Sequence, residues 1–128
     1  MLTFLEVILV ACGGALGATS RFVIGRLSDT HLTSLKFPLA TLVINVLGCF
    51  AIGCIAEISA RGSISPHIRL MIVTGILGGF TTFSAFGLET ITLLRSGHHG
   101  VAFTYASTSV IGGCLATYAG IFLFTPRP

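Results

Sequence analysis

Four long stretches of this chain carry no charge, and they decide what it can fold into. A membrane-spanning helix needs about 20 mostly apolar residues. The first stretch runs from Leu2 to Leu27, with 14 uncharged residues between Glu6 and Arg21 and four more before Arg26. Phe37 to Ala56 gives 20 uncharged residues, Leu70 to Leu88 gives 19 and Val101 to Pro126 gives 26. With their flanks, the expected spans are residues 2–27, 37–59, 69–94 and 101–125 of a single four-helix domain, 1–128. Turn formers fill the connectors: Ser28-Asp29-Thr30, Arg61 to Pro66, and Arg95 to Gly100. The runs do not alternate in polarity, which argues against a membrane β-barrel.

Composition agrees with an all-α integral membrane protein. Charged residues make up 9% of the 128, hydrophobic residues 53%, and the mean hydropathy is +0.98. Soluble domains carry about 25% charged residues. A short soluble chain must also cover a large surface with polar groups, and here they are too few. Disorder would need low hydrophobicity. The net charge of +3 comes from seven scattered Lys and Arg, with no basic run to follow phosphates. The implied partner is therefore a lipid bilayer and not a nucleic acid.

Leu9-Val10-Ala11-Cys12 is similar to a lipoprotein cleavage box. No Lys or Arg precedes it, however, and Glu6 stands where a signal peptide wants positive charge, so an uncut helix is expected. Cys12, Cys49, Cys54 and Cys114 lie within apolar spans, none paired at the spacing of a zinc or redox site. They read as small hydrophobes. His98 and His99 have glycine on either side and read as loop residues.

Lys and Arg near span ends set orientation. Arg61, Arg69 and Arg127 fall on one face of the membrane, and Arg26, Lys36 and Arg95 on the other, where Arg21 would make a fourth. So even a balance implies either a weak signal overruled by other features or dual topology, with copies inserted both ways and paired antiparallel. A chain this small is also short for a pore of its own. Sixteen glycines, mostly within spans, supply contact faces for helix packing: Gly13 and Gly17, Gly48 and Gly53, then Gly112 and Gly120 around Ala116. Gly13 to Gly17 is not a nucleotide loop, since no Gly-Lys-Ser/Thr follows.

Polar side chains inside a span are costly and usually face partners or a pathway. Asn45 is the only Asn, and it shares a helix face with Thr41 and Gly48. It either ties two helices together or donates its amide N–H to an anion. The third span reads Gly75-Ile76-Leu77-Gly78-Gly79-Phe80-Thr81-Thr82-Phe83-Ser84-Ala85-Phe86, and Gly78-Gly79 with Thr81-Thr82 is a poor helix centre. A break there is expected, and freed carbonyls at mid-membrane can hold a cation. Phe83 and Phe86 share a face. Their positive ring edges can meet an anion without a fixed cation that would trap it. Tyr105, Ser109, Gly113 and Thr117 recur every four residues, three of them with hydroxyls. Glu89 reads as the end of the third span.

Three motifs in order resemble those of the Fluc (CrcB-type) fluoride channels. Gly78-Gly79-Phe80-Thr81-Thr82-Phe83-Ser84-Ala85-Phe86 is similar to the family's third-span core, with Ala85 in place of the usual Thr. Thr41-Leu42 to Asn45 and Gly48 resembles its second-span motif, and Gly13 to Phe22 its glycine-rich first span ending in Arg. The resemblance implies an antiparallel, dual-topology homodimer in the bacterial inner membrane, passively exporting fluoride along two pathways. It implies that Phe83, Phe86 and Asn45 line the pathway, with Thr41, Ser84, Tyr105 and Ser109 along its polar track. Arg21 would sit at an aqueous vestibule, attracting anions or anchoring its helix. A structural sodium ion, not transported, would be held at the dimer centre by carbonyls at Gly78 and Thr81, its charge helping to hold an anion nearby. Gly113 departs from the hydroxyl residue of that track.

The nearest rival is a small dual-topology multidrug or cation exporter, also of four spans. It would need a carboxylate embedded in the first span, and Glu6 lies too near the N-terminus. Trp, useful for stacking drugs, is absent. A purely structural subunit would leave Asn45 and the Phe pair without a role. An enzyme is least supported, since no catalytic triad or metal cluster converges.

Overall fold

The computed structural model describes residues 2–32 and 37–126. Lys36 and Arg127, counted for orientation, lie outside the described residues. Four helices are long and apolar enough to cross a membrane: Phe4–Ser28, Leu39–Ala60, Pro66–Arg95 and His99–Phe124.

The first helix, α1 (Phe4–Leu32), opens on a capping box. Glu6 Oε2 accepts the Thr3 N–H at 2.7 Å and the Thr3 hydroxyl at 2.9 Å. Thr3 Oγ1 in turn accepts the Glu6 N–H at 3.3 Å. Glu6 is thus a helix-start residue near the positive end of the helix dipole. The helix does not stop at the expected turn, Ser28-Asp29-Thr30; neither Gly nor Pro stands there to end it. Helix α2 covers Leu39–Ala60.

The third span is a composite. It starts as α3 (Pro66–Leu70), with Ser65 Oγ accepting the Ile68 N–H at 3.3 Å and Pro66 in the first turn. A π-helix (Met71–Leu77) and a short α4 (Gly78–Phe80) follow. Then Thr81 (φ −79°, ψ 159°) and Thr82 (φ −149°, ψ 106°) leave the helical conformation. Helix α5 (Phe83–Arg95) resumes the span, and α6 (His99–Phe124) is the fourth. The interruption therefore falls on the threonine pair and not on Gly78-Gly79, which stay helical.

Close approach between helices accounts for several of the glycines. A Cβ on Gly17 would overlap the Ile76 carbonyl oxygen, and one on Gly79 would lie 2.5 Å from the Gly14 carbonyl oxygen. Helix α1 and the first half of the third span thus run parallel, backbone against backbone. The α2–α6 pair is built likewise, since Cβ atoms on Gly53 and Gly120 would overlap the carbonyl oxygens of Thr117 and Phe50. A buried cluster of Leu93, Ala102 and Tyr105, packed by Phe37, Leu42, Phe86 and Val101, joins α5 to α6 and α2. Apolar residues such as Leu16, Phe22, Phe103 and Leu115 cover the outside, a surface suited to lipid.

Candidate functional site

The site is organised around the two extended threonines. Asn45 Oδ1 accepts the Thr82 N–H at 2.8 Å, and Asn45 Nδ2 donates to the Thr82 carbonyl at 3.1 Å. The side-chain amide thus satisfies both backbone groups of Thr82. Thr82 also caps α5, its Oγ1 accepting the Ala85 N–H at 3.2 Å. In an unbroken helix the Thr82 and Ala85 N–H groups would bond the carbonyls of Gly78 and Thr81. Both carbonyls therefore lose their helical donors to side chains. The Thr81 methyl sits over Gly48, where a Cβ would overlap it. Thr41, Asn45 and Gly48 thus all face the third span, as their spacing requires.

Glu89 is a site residue to which sequence reasoning assigns no role. Its place in the sequence reads as a span end, yet α5 runs on to Arg95 and the Glu89 carboxylate turns inward. Its Oε1 accepts the Thr41 hydroxyl at 2.7 Å, and its Oε2 accepts the Tyr105 hydroxyl at 2.6 Å. Tyr105 is 0% exposed. These short bonds fix α2, α5 and α6 in register. The only sequence signal is the three-residue spacing from Phe86, which puts Glu89 on the same helix face.

Aromatic rings continue from this cluster. Phe86 lies 5.3 Å from Tyr105 and 5.5 Å from Phe83, between ring centroids, and Phe37 meets Tyr105 edge-on at 5.5 Å. Phe83, at the far end, is 83% exposed. Phe83 and Phe86 also line a mostly apolar groove of about 720 Å³ between α2, α6 and the third span. Asn45, Gly78, Thr81 and Ser109 line it too. Four of the expected pathway residues, Asn45, Phe83, Phe86 and Ser109, thus share one groove with Gly78 and Thr81, and Phe86 links it to Tyr105 through its ring contact.

The remaining residues lie elsewhere. Thr41 and Tyr105 are in the Glu89 cluster and do not line the groove. Ser84 is exposed beside Thr82, the two hydroxyl oxygens 3.4 Å apart, and also lies off the groove. Arg21 is on α1, with no hydrogen bond or ion pair found among the described residues. Among the described residues no group of three His, Cys, Asp or Glu converges on a metal position, and the four cysteines are free. The arrangement offers an anion amide, hydroxyl and ring-edge donors on an apolar wall.

The family model described as CrcB-like protein, Camphor Resistance (CrcB), matches residues 8–121. Proteins named fluoride-specific ion channel FluC are similar along nearly the whole chain. That of Methylobacillus flagellatus is 44% identical over 119 residues, 92% of this chain and 93% of its own. That of Chlorobium chlorochromatii is 46% identical over 117 residues, 91% of this chain and 89% of its own. That of Prosthecochloris aestuarii is 42% identical over 121 residues, 94% and 93% of the two chains. These relatives are ion channels and not enzymes. The matched stretch reaches into all four spans and contains the Asn45 clamp, the threonine break and the Phe pair, so this multi-pass membrane chain belongs to the CrcB family.

Proposed function

We propose that the chain is a fluoride-selective channel that lets fluoride leave the cell passively and so lowers its toxic level in the cytoplasm. The observation that carries this reading is the groove, which has Asn45, Phe83, Phe86 and Ser109 on its walls. The names of the relatives support it. Fluoride is small and strongly hydrated, so several donors must replace its water, while binding stays weak enough for exit. Asn45 uses one amide hydrogen on the Thr82 carbonyl, and the second is left to donate to an ion. Phe83 and Phe86 present positive ring edges beside it. Thr41 and Tyr105 serve the pathway by holding Glu89, and Ser84 extends the polar track at the mouth of α5. Arg21 acts as a vestibule charge.

The working unit in this reading is an antiparallel homodimer in the bacterial inner membrane. The nearly even distribution of Lys and Arg supports dual topology. The exposed Phe83 and the open side of the groove support a second copy as the missing wall. A structural sodium ion at the dimer centre fits the donor set, since hard cations take oxygen ligands. The Gly78 and Thr81 carbonyls would hold it, and a two-fold axis would double their number. Bound there, sodium would supply positive charge near the pathway.

Liposomes containing the purified protein, with a potassium gradient and valinomycin but no protonophore, test the function. Rapid voltage-driven fluoride release with chloride retained is the expected result. No release from well-reconstituted protein in sodium buffer would return the chain to the exporter or packing readings. In the same assay Phe83→Ile and Phe86→Ile should each slow fluoride release about tenfold, near the upper worth of one ring contact. Normal rates in both variants would remove the rings from the pathway. Replacing all sodium by a large organic cation should abolish release, and unchanged release would count against the carbonyl site.

A further inference from the structure

Along α6, Ser109, Gly113 and Thr117 recur at intervals of four and all line the groove. Gly113 is the position in that row without a polar side chain. A Cβ on Gly113 would lie 3.2 Å from Cys49 Sγ, so the sulfur from α2 crowds the space beside Gly113. Cys49 lines the same groove. Its position is fixed by the next turn, where the Thr117 hydroxyl is 3.1 Å from the Cys49 carbonyl oxygen and 3.0 Å from the Gly113 carbonyl oxygen.

The turn before is different. Ser109 Oγ is buried and finds no hydrogen-bond partner among the described residues. A buried hydroxyl without a partner is costly, and native proteins keep few of them. An anion in the groove would satisfy it. Beyond Ser109, the Thr117 hydroxyl is committed to backbone carbonyls. The polar hydrogen between them is the Cys49 S–H, a weak donor on a small and polarizable atom.

We propose that the Cys49 thiol is the missing rung of this row, donating its S–H to the anion as it passes Gly113. The proposal rests on the fluoride-channel reading above and adds a specificity-determining residue to it.

Fluoride release from liposomes is the test, on Cys49→Ala, Cys49→Ser and the double variant Cys49→Ala/Gly113→Ser. Removing the donor should slow release about fivefold, less than a strong donor to an ion would give. Cys49→Ser keeps a donor and should retain most of the wild-type rate. The double variant moves a hydroxyl onto α6, into the space the sulfur leaves, and should recover much of the loss. A second measurement does not depend on Cys49→Ala folding. In protein with Cys12, Cys54 and Cys114 replaced by Ala, the remaining S–H infrared band should move to lower frequency with fluoride and not with chloride. Wild-type protein that releases no fluoride would fail the channel reading, and this proposal with it. Wild-type release matched by Cys49→Ala would overturn the thiol's role alone. So would Cys49→Ser as slow as Cys49→Ala, a double variant no faster than Cys49→Ala, or an unmoved band.

Discussion

Asn45→Ala should cost this protein a large part of its stability. The substitution strips both partners from Thr82, whose N–H and carbonyl bond the Asn45 amide at 2.8 and 3.1 Å. Thr82 is buried. Each backbone group left without a partner costs about 1–3 kcal/mol, and more where the surroundings are apolar. Two such groups give about 2–6 kcal/mol, against a total stability of about 5–15 kcal/mol for a typical domain. The bend cannot simply relax into helix. Thr81 is seated over Gly48, and Thr82 caps α5 through the Ala85 N–H. The check is thermal unfolding in detergent, with gel filtration to follow aggregation. A steep fall in melting temperature is expected, or loss of monodisperse protein. A variant that melts with the wild type would mean that the amide does not hold the break.

That clamp also marks how far a single sequence reaches. The four spans are legible because charge is so costly in lipid that a run of about 20 residues without it points to a membrane helix. Asn45 is legible for the same reason, as one amide in an apolar run. What it touches is not. Its partner lies 37 residues away, at a register that only the packing of α2 on the third span sets. The sequence marks the stretch Gly78 to Thr82 for the break, but not which of its residues leave the helix. Gly78-Gly79 has the weakest helix propensity in the span, yet propensity yields to packing. Gly79 is used where α1 comes within reach of its backbone. Of the two extended residues, Thr82 is the one whose freed N–H and carbonyl have a side-chain partner.

Glu89 shows the same limit from the other side. Its position three residues after Phe86 is visible, but a carboxylate near the end of an uncharged run reads as the place where the helix meets water. Its two hydroxyl partners lie 48 and 16 residues away on other helices. Ser84 belongs with the polar track by its place in the motif. The two extended residues before it turn α5 so that Ser84 lies off the groove and Phe83 and Phe86 lie on it. The capping box at Thr3 and Glu6 is readable from the Thr-x-x-Glu spacing alone and accounts for a charge so close to the first span.

Gly120→Val should have the other large effect, and it tests the packing of the α2–α6 pair. A Cβ at Gly120 would overlap the Phe50 carbonyl oxygen and lie 2.9 Å from the Cys54 nitrogen and 3.2 Å from the Gly53 carbonyl carbon. All three atoms are backbone, so no flexible side chain can move aside. The helices must separate, and α2 packs on α6 along an extensive contact. In lipid that contact has no water to expel, and close packing itself holds it together. Overpacking commonly costs about 1–3 kcal/mol, and a branched side chain against fixed backbone belongs at or above the upper end. Two other glycines calibrate the result. Gly112→Ala meets Val46 Cγ2 at an ordinary 3.6 Å and Gly25→Ala has nothing within 4 Å, so each should keep or raise stability, by up to about 1 kcal/mol through helix propensity. Melting temperatures in one detergent should therefore place Gly25→Ala and Gly112→Ala at or above the wild type, and Gly120→Val far below. If Gly120→Val melted beside Gly112→Ala, backbone contact would not be what locks this pair. Any folded remnant of Gly120→Val should also conduct poorly, because the same register sets Cys49 over Gly113 and carries Asn45 and Ser109 into one groove.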